Sequence, residues 1–413
     1  MVIFFCFENN IHLANNDFGF TLEYKFEATP LPIKKGDPLP LDKIYFSTPS
    51  DFNSHMETIK EKLGKKAGEV HIVKPETIIE DPSFPKHIGF CKKFEDAVET
   101  CKKQIRDGKL RLAILNAMSN AIGDHLIGMQ AFDYFHEQLR TALGVDLEVS
   151  FYQLNPYRIG PITKQWKGKF QHLYMMPNRT SRFLEHDVFI DLGTLLLREN
   201  FDGQPMIDFF FQALSIDPAS VPAENKRMKY KVPQDALDHV TPVLKGVRDK
   251  GRPVLLFHHT STSPIRQIPK PIAQQFVRQI IENSDYFVVS ADKLDYRHDR
   301  FMCLANYSQN LDQFAGIISL VDAIITVDTS TYHLADAFNK PTIVLFTSIE
   351  PDHRIRYYPH VGGIMLEEEG GPIYGQHKLS KDKRDARKQI VHVNDLWNSV
   401  KIPDVLRNIE RVT

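Results

Sequence analysis

Ile324-Ile325-Thr326-Val327, followed at once by Asp328-Thr329-Ser330-Thr331, is the stretch that leaves this chain the fewest folds. A β-branched apolar run of this kind reads as a buried strand. The polar tetrad breaks it. Leu334, Ala335, Ala337 and Phe338 then carry helical spacing, and a second buried-strand run follows over residues 341–346. Strand, polar turn, helix and strand within about two dozen residues is a compact βαβ unit, which demands a parallel sheet. Where a strand feeds a helix in such a sheet, small hydroxyl side chains and free backbone N–H groups gather on one spot, the place where α/β folds bind phosphate. Asp, Thr and Ser are also the usual helix caps. On its own the stretch admits either reading.

The 413 residues suffice for two domains or three small ones. With 42% hydrophobic and 25% charged residues the composition is that of an ordinary globular protein, and a net charge of -1 argues against nucleic acid as a partner. Cys6, Cys91, Cys101 and Cys303 are scattered without C-x-x-C spacing, which argues against a zinc or iron–sulfur motif and for a reducing compartment. The apolar start lacks the basic residues of a signal peptide. No run approaches the roughly 20 apolar residues of a membrane helix. The expected location is cytoplasmic, with a peripheral contact at the inner face of the membrane allowed.

Residues 1–106 read as a small β-rich accessory region. Strands are expected over 2–7, 18–27, 42–47 and 69–73, and helices over 56–66 and 94–105. Its role is structural or a docking surface. A first α/β pattern occupies residues 107–233. It has strands at 110–115, 147–152, 170–175 and 187–192, a helix at 125–143, and another at 205–214 whose aromatic run Phe209-Phe210-Phe211 belongs in a core. The proline-bearing stretch 218–233 reads as a link. A second pattern fills residues 234–413. Strands fall at 252–258, 286–290, 324–327 and 341–346. Helices fall at 236–250, 271–283, 311–319 and 393–409. A glycine- and acid-rich loop spans 362–371, and a charged surface segment 379–388. Strands alternating with helices give an α/β class with parallel sheets.

Four motifs sit where such sheets bind ligands. The first is Leu112-Ala-Ile-Leu-Asn-Ala-Met-Ser-Asn-Ala-Ile-Gly123-Asp124. The second is Phe257-His-His-Thr-Ser-Thr-Ser-Pro-Ile-Arg266-Gln-Ile-Pro269, the third Ser290-Ala291-Asp292. The fourth is Asp328-Thr329-Ser330-Thr331-Tyr332-His333-Leu334-Ala335, extended by residues 341–348 and Pro351. Together they resemble the family 9 glycosyltransferases, the ADP-heptose:lipopolysaccharide heptosyltransferases and their relatives, from about Leu110 to the C-terminus. The resemblance implies the GT-B architecture, two facing Rossmann-like domains with a cleft between them.

It also implies roles. Asp124 inherits the base that deprotonates an acceptor hydroxyl. Arg266, where the family usually has lysine, would stabilise the leaving diphosphate. Asp292, one methylene shorter than the family glutamate, would meet the nucleoside ribose. Thr260 lies in the Thr/Ser loop of the donor site. Asp328, Thr329, Ser330, Thr331 and His333 would meet the donor phosphates, with Ser330 departing from a family glycine. The implied reaction is an inverting, metal-independent transfer of a heptose-like sugar from a nucleoside-diphosphate sugar to a hydroxyl on a glycan, lipopolysaccharide or protein. No cofactor is expected; an ADP-heptose-like nucleotide sugar is the substrate. Self-association through the N-terminal region is a further expectation. Some relatives that glycosylate autotransporter proteins carry a cysteine-ligated iron site. Cys303 is the single cysteine in the C-terminal half here, so that site is not expected.

The residues alone keep other readings open. Asp124 could be a helix N-cap. Arg354 and Arg356 could touch phosphate or form a solvated pair. The 17 histidines show no metal-ligand spacing. A non-catalytic nucleotide-sugar-binding module and a GT-B nucleotide-sugar epimerase remain as alternative functions.

Overall fold

The computed structural model describes residues 2–4, 45–47, 84–116, 121–153, 160, 162–175, 178–192, 195, 201 and 203–413. The strands and helices expected over 18–27, 56–66 and 69–73 lie outside these residues. The chain divides into two compact units, the second of which includes Lys226–Thr413.

The first unit contains β1 (Val2–Phe4), β2 (Tyr45–Ser47), β3 (Lys86–His87), β4 (Lys109–Leu115), β5 (Asp146–Gln153), β6 (His172–Met175), β7 (Asn178–Arg179) and β8 (Val188–Asp191). Five of these form a parallel sheet in the order β3-β8-β4-β5-β6. The others make a small sheet in which β2 pairs with β1 in parallel and with β7 antiparallel. The last four residues of β4, Leu112 to Leu115, include a buried run that continues onto both neighbouring strands, as a strand covered on both faces requires. The helix Ile122–Leu143 crosses over from β4 to β5 and ends at Gly144, whose φ of 65° supplies the left-handed cap. This helix begins three residues before the expected start, so Gly123 and Asp124 lie inside its first turn.

The second unit is a six-stranded, all-parallel sheet of β9 (Val254–His258), β10 (Phe287–Ser290), β11 (Phe301–Cys303), β12 (Ala323–Val327), β13 (Thr342–Phe346) and β14 (Val361–Met365). The spatial order is β11-β10-β9-β12-β13-β14. The chain winds one way from β9 through β10 to β11, then returns to the other side of β9 and winds outward again. That is the doubly wound order, with a topological switch point between β9 and β12. β9, β10, β12 and β13 are buried at every residue, as the apolar runs predicted. Against one face pack the helices Lys270–Glu282 and Ile402–Val412, with Ile272, Phe276, Ile280, Val405 and Ile409 in the core. At the start of this unit Arg227 and Met228 are strapped to the helix Thr331–Ala337. The Arg227 guanidinium lies 3.0 Å from Asp336, and the Met228 N–H donates to the same carboxylate at 2.8 Å. Burial, opposed by these contacts, pushes the Asp336 carboxyl up to about 6.

The two parallel sheets bear out the α/β class, and several boundaries differ instructively. β11 was not expected: three residues on an edge carry too little periodicity to register. Val361-Gly-Gly-Ile-Met365, expected as the start of a loop, is a strand. Its glycines are there for close packing. A Cβ on Gly363 would meet the Pro351 Cβ at 2.6 Å, and one on Gly362 the Ile343 Cδ1 at 2.9 Å. Proline cannot swing aside, so Gly363→Ala is expected to cost about 1–3 kcal/mol, read as a lower midpoint in urea unfolding. The C-terminal helix expected over 393–409 is two helices, Lys383–Ser399 and Ile402–Val412, and the charged segment forms the first turns of the former. Pro403 sits in the first turn of the second helix, which is where proline starts a helix rather than continuing one.

Candidate functional site

In the first unit the chain leaves β4 at Leu115, and Asn116 follows with φ of 51°, a left-handed turn that asparagine tolerates. β5 lies on one side of β4 and β8 on the other, so this too is a switch point. Asp124 stands in the first turn of the helix that follows, half-buried. The N-cap is Ala121, so Asp124 is not the cap. Its carboxylate is favoured there by the helix dipole. Asp191 ends β8 opposite Leu115 and is buried, a second carboxylate at this edge that the sequence pattern did not single out.

In the second unit the loops after β9, β10, β12 and β13 bring the other candidates together. Arg266 Nη1 donates to Asp328 Oδ2 at 2.9 Å, and Arg266 Nη2 reaches Thr262 Oγ1 at 3.4 Å. Tyr332 OH donates to the other Asp328 oxygen at 2.9 Å, and Ser261 Oγ donates to the Asp328 carbonyl at 3.1 Å. Burial alone would raise the Asp328 carboxyl. The Arg266 and Arg354 guanidiniums and the two hydrogen bonds outweigh it and hold the carboxyl below its usual range. The link between β9 and β12 is thus an arginine–aspartate pair at the switch point.

Thr260 Oγ1 donates to Asp292 Oδ2 at 2.6 Å, and His258 Nε2 lies 2.9 Å from the same oxygen. Burial pushes the Asp292 carboxyl up, but His258 and Thr260 prevail and bring it down to about 2. The backbone here is pinned: Ser290 Oγ donates to the Asp292 carbonyl at 3.0 Å. Thr331 is fully buried, with its Oγ1 2.7 Å from His258 Nδ1. Thr329 and Ser330 are partly exposed beside it. Ser330 has φ of -60° and ψ of -13°, right-handed helical backbone. No left-handed conformation demands a glycine at this position, so the serine adds a hydroxyl without strain. His333 is buried with Nδ1 2.8 Å from Tyr358 OH, and burial takes its imidazole down to about 3.

The structure also separates two arginines the sequence could not. Arg356 is exposed and paired with Asp352 one turn earlier. Arg354 is half-buried and its charge acts on Asp328, His333, Tyr332 and Tyr358. Arg354, His258, Tyr332 and Tyr358 therefore belong to this group of residues. Only the histidine pair after a buried strand hinted at any of them. Among the described residues, no group of three or more His, Cys, Asp or Glu side chains is arranged to hold a metal ion.

The neighbouring His259 behaves differently. It is fully buried, and neither ring nitrogen has a hydrogen-bond partner among the described residues. Burial takes its imidazole from 6.5 to about 4. A depressed folded pKa means that the unfolded chain takes up this proton first, so stability is lost as pH falls from 6.5 towards 4. His259→Leu is expected to stabilise the fold by about 1–3 kcal/mol at neutral pH, because two unpaired buried nitrogens are removed. The gain should widen by about 1.4 kcal/mol per pH unit below 6.5. Urea unfolding of both proteins at several pH values measures it.

Residues 297–382 match the model of glycosyltransferase family 9 (heptosyltransferase). The match starts before β11 and covers the Asp328–His333 turn and Arg354. The second unit carries a family 9 glycosyltransferase segment. A comparison against curated proteins finds no match. Among solved structures, a family 9 glycosyl transferase from Veillonella parvula aligns at 11% identity and a TM-score of 0.48, covering 73% of this chain and 97% of that one. ADP-heptose LPS heptosyltransferase II from E. coli aligns at 14% identity and 0.46, covering 70% and 99%. The iron-containing dodecameric glycosyltransferase TibC of enterotoxigenic E. coli aligns at 12% and 0.48, covering 73% and 78%. No helix among the described residues is long and apolar enough to cross a membrane.

Proposed function

We propose that the chain is an inverting glycosyltransferase that uses a nucleoside-diphosphate sugar. The observation that carries this reading is the Arg266–Asp328 pair at the switch point of a doubly wound sheet, inside a unit with a family 9 segment. A switch point is where such sheets take nucleotides. Arg266 and Arg354 offer the positive field for a diphosphate, and Asp328 fixes the Arg266 guanidinium in place. Asp292 meets the nucleoside, and Thr260 holds its carboxylate oriented. In the reaction an acceptor hydroxyl attacks the anomeric carbon and Asp124 takes its proton. The bond from that carbon to the diphosphate oxygen breaks, and the negative charge that builds there is met by Arg266 and Arg354. No metal enters this scheme. The donor is an ADP-heptose-like sugar by resemblance, and the acceptor a hydroxyl on a glycan, lipopolysaccharide or protein, handled in the cytoplasm.

A thermal-shift screen of ADP, GDP and UDP with their sugar conjugates tests the donor. One base should raise the melting temperature as ligand saturates the folded state. If no nucleotide shifts it at millimolar concentration, the donor reading fails. Nucleotide release without any sugar transfer, with every acceptor class offered, would favour the binding-module or epimerase alternatives.

A further inference from the structure

We propose that His258 is a positioning residue that couples the nucleoside side of the donor site to its phosphate side. The proposal rests on the donor-site reading and deepens it. β10, which leads to Asp292, and β12, which leads to Asp328–Thr331, are not neighbours; β9 lies between them. His258 is the last residue of β9. It spans the gap with both ring nitrogens: Nε2 is 2.9 Å from Asp292 Oδ2, and Nδ1 is 2.7 Å from Thr331 Oγ1.

The hydrogen-bond chemistry fixes the roles. An ionised Asp292 can only accept, so Nε2 carries a proton. In the neutral ring Nδ1 then accepts, and the Thr331 hydroxyl spends its single proton on it. Thr326 Oγ1 is 3.5 Å from the same nitrogen and is the weaker contact, since it also donates to the Val327 carbonyl. Phe314, 5.1 Å away between ring centroids, walls the imidazole from the helix side. Both donors to Asp292, His258 and Thr260, meet the same oxygen, Oδ2. Oδ1 is the oxygen turned to the ligand's ribose hydroxyls. Thr331 reaches no phosphate itself: it is fully buried, and its bond to His258 holds the first turn of Thr331–Ala337 and the backbone of Thr329 and Ser330 before it. Binding at one end thereby stiffens the other through one ring.

The test measures dissociation constants for ADP, GDP and UDP by calorimetry on the full chain. For whichever binds wild type, His258→Ala should weaken affinity by about tenfold or more, and His258→Gln, which can keep a donor and an acceptor, should recover part of the loss. A structural role alone would not produce the next result. With His258 present, Asp292→Asn and Thr331→Val should combine non-additively by about threefold or more; in the His258→Gln and His258→Ala backgrounds the non-additivity should shrink and vanish. His258→Gln melting as wild type keeps the cycle interpretable if His258→Ala folds poorly. Additive effects with His258 present, or wild-type affinity in His258→Ala, overturn the coupling while leaving the donor site standing. Absence of binding by all three nucleotides overturns the donor site, and the coupling with it.

Discussion

Asp124→Asn is expected to slow sugar transfer by about 10²–10⁴-fold and to leave nucleoside-diphosphate affinity unchanged. The substitution is nearly isosteric. Asp124 sits in the first turn and does not cap the helix, since Ala121 is the N-cap, so the fold loses only a favourable charge–dipole contact of about 0.3–1 kcal/mol. What disappears is the basic oxygen. Initial rates with the nucleotide sugar selected by the thermal screen measure the effect. Wild-type turnover in Asp124→Asn would place the base elsewhere, and Asp191 at the end of β8 is the next carboxylate of that sheet edge to replace.

Arg266→Ala has the second large effect, on binding and folding together. The Asp328 side chain is 5% exposed, and Arg266 is its nearest cation. Removing one partner of a buried pair costs about 3–5 kcal/mol, because a charge is left without compensation. Tyr332 and the field of Arg354 remain, so the lower end of that range is expected. Nucleoside-diphosphate affinity should fall by about 100-fold, since a charge-assisted contact to phosphate is lost. Arg266→Lys should fall between: the charge stays, but a single ammonium cannot reach Asp328 and Thr262 as a planar fork does. Asp328→Asn with Arg266→Ala should refold better than Arg266→Ala alone. Urea midpoints and nucleotide titrations of the four variants separate the folding loss from the binding loss.

Much of the second unit was legible because its central strands are short, β-branched and buried at every position. That pattern has no helical counterpart, and it delivered β9, β10, β12 and β13 nearly to the residue. The edges were not legible. β11 is three residues long, and β14 hides behind two glycines that look like a loop until Pro351 and Ile343 are seen pressing on them. The helices Lys383–Ser399 and Ile402–Val412 merged because apolar spacing continues across the break at Val400.

For the site, motif spacing put Thr260, Arg266, Asp292 and Asp328 at one sheet edge, where the fold holds them. It could not rank Arg354 over Arg356, which differ only in that Asp352 stands one turn before the latter. Nor could it find His258, whose meaning lies in what β10 and β12 bring to it. The concern over Ser330 was a concern about backbone, and the backbone there is one that serine adopts freely.

The most direct test of where the nucleotide sits is hydrogen exchange across the whole chain, with and without saturating ADP, GDP or UDP. One of the three should slow exchange in peptides covering residues 260–266 and 328–333, with no change over 383–399. Slowed exchange confined to other segments, or no change with any nucleotide, would contradict a donor site at the β9–β12 switch point.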